Sequence, residues 1–348
     1  MKIEFKDPEI LEAIKELEKV SREKKNIMIL FLCIGFLLAG CSTNENNTGN
    51  YYDMESVKAI YSGILANNQT FQTGESTTIE YDFDCPEYRT LVSKYKIDEI
   101  AGTGTEFERA LNLMNEFAPR LTHESLYDNH IPINALDLLD YSLDNKEQGI
   151  NCLSKAKILT EMCLGLGIYA RRIFIMPYSP YDTDNHVVTE IYDTTLQKWI
   201  MLDPSNDIYF VDQENSPLSV LEIRDYASQN LFCTAVQLDS AEDLQKSNTK
   251  YISLNTYIYK NLFYFVMDQY NGFGTTDADI SFYVLPEGFD LRKREILYYQ
   301  FLIDYAKENN LDESYIINWE NSLTICQRIE YPVISIDFMK NSPVSSMS

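Results

Sequence analysis

Three residues of this chain have the types and order that chemistry at a thiol requires: Cys152, His186 and Asp203. A thiol supplies a nucleophile, an imidazole takes its proton, and a carboxylate holds the imidazole in the useful tautomer. Taken singly, each has an ordinary reading. A cysteine on an apolar helix is core, an isolated histidine is half-buried, and an aspartate before Pro204 is a turn residue. The ordered set points instead to acyl transfer through a thioester, since that chemistry needs all three.

Elements that would position them can be read locally. Leu153, Ala156, Leu159, Met162, Cys163 and Leu166 recur at helical spacing, and Gly165 and Gly167 supply the stop. Asn151 reads as the N-cap, which puts Cys152 in the first turn, where free N–H groups and the positive dipole end favour a thiolate. Residues 170–176 read as a buried strand, 185–192 alternate in hydropathy, and 198–202 form a third strand. With His186 opposite Asp203, Tyr192 falls opposite Gln197 and Asp193 opposite Leu196, leaving 193–196 as a short polar connection. Because side chains alternate faces, His186 and Asp203 then share a face without a bulge.

The same run resembles the transglutaminase-like (papain-like thiol) superfamily, its bacterial members in particular. The residues that carry the likeness are Gly149-Ile150-Asn151-Cys152 with Lys155-Ala156, Leu166-Gly167-Ile168 and Ala170-Arg171. His186-Val187-Val188 with Glu190, Lys198-Trp199-Ile200 and Leu202-Asp203-Pro204 follow them. Upstream, 107–139 looks like the family's helical lead-in, and the likeness is close over 105–225. It implies that Cys152 is the nucleophile, His186 the general base and Asp203 the orienting residue. The implied fold class is α+β: a transglutaminase-like core with the nucleophile at a helix N-terminus, packed on an antiparallel sheet, with additional C-terminal α/β elements. No cofactor is implied. Hydrolysis, transamidation and deamidation share this chemistry; a peptidase or amidase is preferred, because water is the default acceptor.

Other groups carry less. His123 and His130 lie in a polar loop before the cysteine, whereas the resembled order puts the base after it, so both read as surface residues. Of seven cysteines, none forms a CxxC pair or a zinc-spaced cluster, and Cys163 reads as core. Residues 271–279 are rich in Asn, Gly and Asp, but lack the terminal Glu of a calcium loop and read as a turn. No metal site is expected.

A net charge of −24 argues against nucleic-acid partners, since such a surface repels phosphate backbones. Residues 1–23 read as an amphipathic extension, from a misassigned start or a short cytoplasmic helix, the first being preferred. Residues 24–40 read as a leader with a basic n-region and an apolar h-region. It ends Leu38-Ala39-Gly40-Cys41-Ser42, which resembles the bacterial lipobox and implies lipidation at Cys41. Residues 41–50 read as a tether, 51–227 as the catalytic domain and 228–348 as a C-terminal α/β extension packed on it. A membrane-anchored, extracytoplasmic protein acting on a peptide or protein at the cell surface is expected. The alternative is a non-catalytic surface-binding or structural lipoprotein on the same fold, with 251–267, dense in aromatics, as an interaction face. That stretch fits strand and helix equally. Further helices are expected over 54–67, 107–122, 133–143, 216–227 and 292–308, and strands over 77–83, 280–285 and 333–338. The tail from Asn341 reads as frayed.

Overall fold

The computed structural model describes residues 54–237, 248–275 and 281–343. The leader, Cys41, the tether and residues 276–280 of the Asn/Gly/Asp-rich loop lie outside the described residues. In chain order the elements are α1 (Met54–Ala66), β1 (Glu80–Tyr81), α2 (Pro86–Tyr95), α3 (Ile97–Ala101), α4 (Glu106–Phe117), α5 (Ala135–Ser142) and α6 (Cys152–Gly165). Then come β2 (Ala170–Met176), β3 (His186–Asp193), β4 (Lys198–Asp203), β5 (Ile208–Val211), α7 (Val220–Ser228), β6 (Thr234–Gln237) and α8 (Asn248–Lys260). The chain closes with β7 (Tyr264–Asp268), β8 (Tyr270–Asn271), β9 (Ser281–Val284), α9 (Leu291–Glu308), α10 (Glu313–Cys326) and α11 (Asp337–Lys340). No helix among the described residues is long and apolar enough to cross a membrane.

Residues 179–184 and 290–330 form one compact unit, and the rest of the described chain forms the other. In the small unit α9 and α10 make a helical pair. Lys307 bridges to Glu320 at 3.2 Å, and Arg292 donates to the carbonyl of Ile329. The second helix begins where the Asp312 side chain accepts the Ser314 N–H.

The large unit is α+β. Seven antiparallel strands run in the order β6-β5-β4-β3-β2-β7-β9, and β1 pairs with β8 in parallel. Strands β6, β7 and β9 come from beyond residue 228, so the part read as an extension packed on the core instead completes the sheet. The main apolar core gathers Leu91, Leu113, Met114, Leu138, Met162 and Cys163 with Ile191, Ile200 and Leu202 of the sheet.

The β3–β4 register differs from the sequence expectation by two residues: Asp193 pairs with Lys198 and Tyr192 with Trp199. The connection is 194–197, with Gln197 in the left-handed region at φ 53°. Asp193 fixes it by accepting the Leu196 N–H at 2.8 Å with one oxygen and the Phe107 N–H of α4 at 3.1 Å with the other. A slip of two preserves parity, so His186 and Asp203 keep a common face, diagonal to one another rather than opposed.

Two further expectations fail. Residues 333–338 are not a strand: Val333 and Ile334 make only single bridges, to Tyr283 and Glu75, before α11 starts. Gly74 allows this approach at φ +63°, because a Cβ there would lie 2.5 Å from the Ile334 backbone. Nor is the chain free at Asn341, whose carbonyl accepts the Trp199 indole N–H at 2.9 Å. Residues 251–267 divide into the end of α8 and the strand β7. The alternation of Tyr257, Tyr259, Phe263 and Phe265 straddles two elements and has no single period.

Candidate active site

Helix α6 is buried on all sides from Leu153 to Leu164. Asn151 caps it, its side-chain oxygen accepting the Ser154 N–H at 3.1 Å while its amide donates to Asn129 and to the Tyr127 carbonyl. Cys152 therefore occupies the first turn, half-buried against the small cluster of Leu153, Ala156 and Val187. His186 opens β3, opposite Ile175 of β2, and is 2 % exposed. Asp203 closes β4 and is fully buried.

The three side chains meet. His186 Nε2 lies 2.8 Å from an Asp203 carboxylate oxygen, and the Cys152 thiol is near enough to the same imidazole to raise its pKa. With Nε2 committed to Asp203, Nδ1 is the nitrogen left for the thiol. Burial works against a charged imidazole. The charge and hydrogen bond of Asp203, followed by those of Cys152, outweigh it and lift the His186 pKa to about 10. Burial likewise opposes an ionised Asp203, but the His186 charge and hydrogen bonds from His186 and Asn206 hold its carboxyl below the usual range.

The other described cysteines, Cys85, Cys163, Cys233 and Cys326, are free thiols, as is Cys152. Burial pushes Cys163 and Cys233 up to about 12 and Cys326 up to about 11. These three are core thiols.

Three neighbours of the site escaped sequence reasoning. The Tyr257 ring of α8 meets the His186 imidazole edge-on, with centroids 5.3 Å apart. His123, read as a surface residue of a polar loop, is indeed exposed, and its backbone bridges Ile150 beside the α6 cap. Partial desolvation, then the charges of Lys155 and His186, push its pKa below the ordinary histidine value. Lys155, one turn along α6 from Cys152, is 4 % exposed. His130 pairs with Asp128 and sits between the rings of Tyr127 and Tyr141. In the loop after β8, the Gly272 carbonyl accepts from Lys157 and the Gly274 N–H donates to Glu161, so this turn clamps α6.

The site therefore has a half-buried thiol at a helix N-terminus beside an imidazole held by a buried carboxylate. Residues 94–204 match the family model described as the transglutaminase-like superfamily. The match takes in Cys152, His186 and Asp203. No curated protein and no solved structure matches the chain.

Proposed function

We propose that this protein is a thiol enzyme that cleaves amide bonds through an acyl-enzyme, with Cys152 as nucleophile, His186 as base and Asp203 as orienting residue. The observation that carries this reading is the imidazole of His186, held by Asp203 at 2.8 Å with the Cys152 thiol beside it. Nδ1 of His186 takes the thiol proton, and the sulfur adds to the amide carbonyl. Nδ1 then returns the proton to the departing amine, leaving a thioester. Water, deprotonated by the same imidazole, releases the acid. The Cys152 backbone N–H at the start of α6 is one donor to the developing oxyanion.

Alkylation with iodoacetamide, read cysteine by cysteine by mass spectrometry, tests the pair without a substrate. An unperturbed thiol is only a fraction of a per cent ionised at pH 6, so a thiolate held by imidazolium reacts about a hundredfold faster there. We expect that excess at Cys152 alone and its loss in His186→Ala. A Cys152 that labels at pH 6 no faster than an unperturbed thiol would leave a binding scaffold as the better reading.

The same proposal places the enzyme outside the cytoplasm on a lipid anchor at Cys41, where peptides and proteins at the cell surface are its substrates. A clickable fatty acid should enter the full chain in bacterial cells and not enter Cys41→Ala. Incorporation that survives the substitution would remove the anchor.

A further inference from the structure

The buried polar side chains of α6 are mostly satisfied. Lys157 pairs with Glu161 at 2.9 Å, Glu161 also accepts the N–H groups of Ala135 and Gly274, and Thr160 meets Thr189. The Ser154 hydroxyl is left over, and so is Lys155, a residue 4 % exposed. A lone hydroxyl costs little; a lone ammonium costs several kcal/mol, roughly, and a hydrocarbon side chain in its place would stabilise the fold. Among the described residues Lys155 has neither a hydrogen-bond acceptor nor a carboxylate at ion-pair distance. Asp203 and Asp207 act on it only through space, and burial outweighs them, bringing its pKa down to about 8.

Its direction gives it a use. Residue 155 lies on the same face of α6 as residue 152, and helical side chains lean toward the N-terminus, which is the end of α6 that carries the thiol. His123 stands at the same end, close enough to feel the charges of both Lys155 and His186. The Cys152 and Leu153 N–H groups have no acceptor among the described residues, which adds the positive end of the helix dipole.

We propose that Lys155, with His123 at its rim, forms an anion subsite beside Cys152 that holds a free carboxylate of the acyl donor. The substrate is then a peptide or amino-acid amide with a carboxylate next to the carbonyl that is attacked. A single negative charge fits. A dianion would meet Asp203 and Asp207 at close range, and the net −24 of the chain repels polyanions from a distance. The inference rests on Cys152 being the nucleophile.

Iodoacetate and iodoacetamide differ by one charge and little volume, and the ratio of their rates at Cys152 cancels the thiolate fraction. In Lys155→Met, which keeps the bulk and removes the charge, the iodoacetate-to-iodoacetamide ratio should fall about tenfold at pH 7. The unsubstituted protein gives a second reading that no folding defect can imitate: the ratio should fall as pH rises from 7 to 9. Of the groups around Lys155, Asp203, held below the usual carboxylate range, is ionised throughout. His123, held below its ordinary value, is already neutral, and His186 remains charged. The decline therefore reports the ammonium. A ratio unmoved by both the substitution and pH, with iodoacetamide still fast at Cys152, overturns the subsite alone. The same holds if both reagents slow together in Lys155→Met. Slow iodoacetamide labelling of the unsubstituted protein at pH 6 overturns the reading of Cys152 beneath it.

Discussion

Asp203 accepts four hydrogen bonds with two oxygens: one takes His186 and the Asn206 amide, the other the N–H groups of Ser205 and Asn206. The carboxylate thus orients the imidazole and shapes the turn after β4 together. In Asp203→Asn an amide replaces an acceptor, the imidazole loses the partner that keeps its proton on Nε2, and Nδ1 is no longer free to act as base. Iodoacetamide labelling of Cys152 at pH 6 should drop about a hundredfold, with the near-ultraviolet spectrum retained. The raised His186 pKa also makes a stability prediction. Its contribution is fully present below the unfolded value near 6.5 and is lost as pH rises through the folded value of about 10. Cys152→Ala is the background to use, so that the imidazole is read without the neighbouring thiol. There, unfolding free energy from denaturant titrations should fall by about 1 kcal/mol per pH unit between pH 6.5 and 8. His186→Ala should flatten that slope. Above pH 8 the slope lessens, because Lys155, depressed to about 8, is relieved of its buried charge as it deprotonates.

At the scale of elements, the first turn of α6 depends on Asn151, and Asn151→Ala should cost ~1 kcal/mol in denaturant unfolding for the lost cap. It also frees the 127–129 segment from its amide bonds, so Cys152 labelling should slow beyond what stability explains. A proteolysis-matched comparison with a distant variant of equal stability would separate the two effects. This cap, the α6 periodicity and the period-2 pattern of β3 were legible because they are local. The shared face of His186 and Asp203 was legible for a different reason: it depends only on parity, which survived the two-residue slip set by Asp193 and Gln197. What could not be read depends on distant packing. Nothing in the sequence near Lys155 tells that its ammonium is buried without a partner, since Lys157 two residues on is buried with one. Tyr257 reaches His186 only because α8 folds back upon the sheet.

For the whole molecule, the sheet draws strands from both sides of the boundary expected after residue 227. The matched family region ends at 204, yet β7 and β9 extend the sheet on the β2 side and β6 extends it beyond β5. Arg172 of β2 finds its carboxylate on β7, 2.8 Å away at Asp268, so ending the chain at 227 strands a buried guanidinium and bares two sheet edges. A 51–227 fragment should be insoluble or lack the near-ultraviolet signature of packed aromatics. A soluble fragment with native Cys152 reactivity would show that the later strands are dispensable. Arg171 adds a second tie, donating to the carbonyls of Phe338 and Met339 while stacking on Trp199.

The strand order has a consequence in time. β2, which lies one strand from the site, takes β3 as a neighbour from the residues that follow it at once and β7 from far down the chain. A ribosome delivers Cys152, His186 and Asp203 well before it delivers the strand that covers β2. Pairings of such long sequence separation form late and slowly. The neighbour of β2 on the side away from β3 is synthesised only with β7, roughly sixty residues after Asp203.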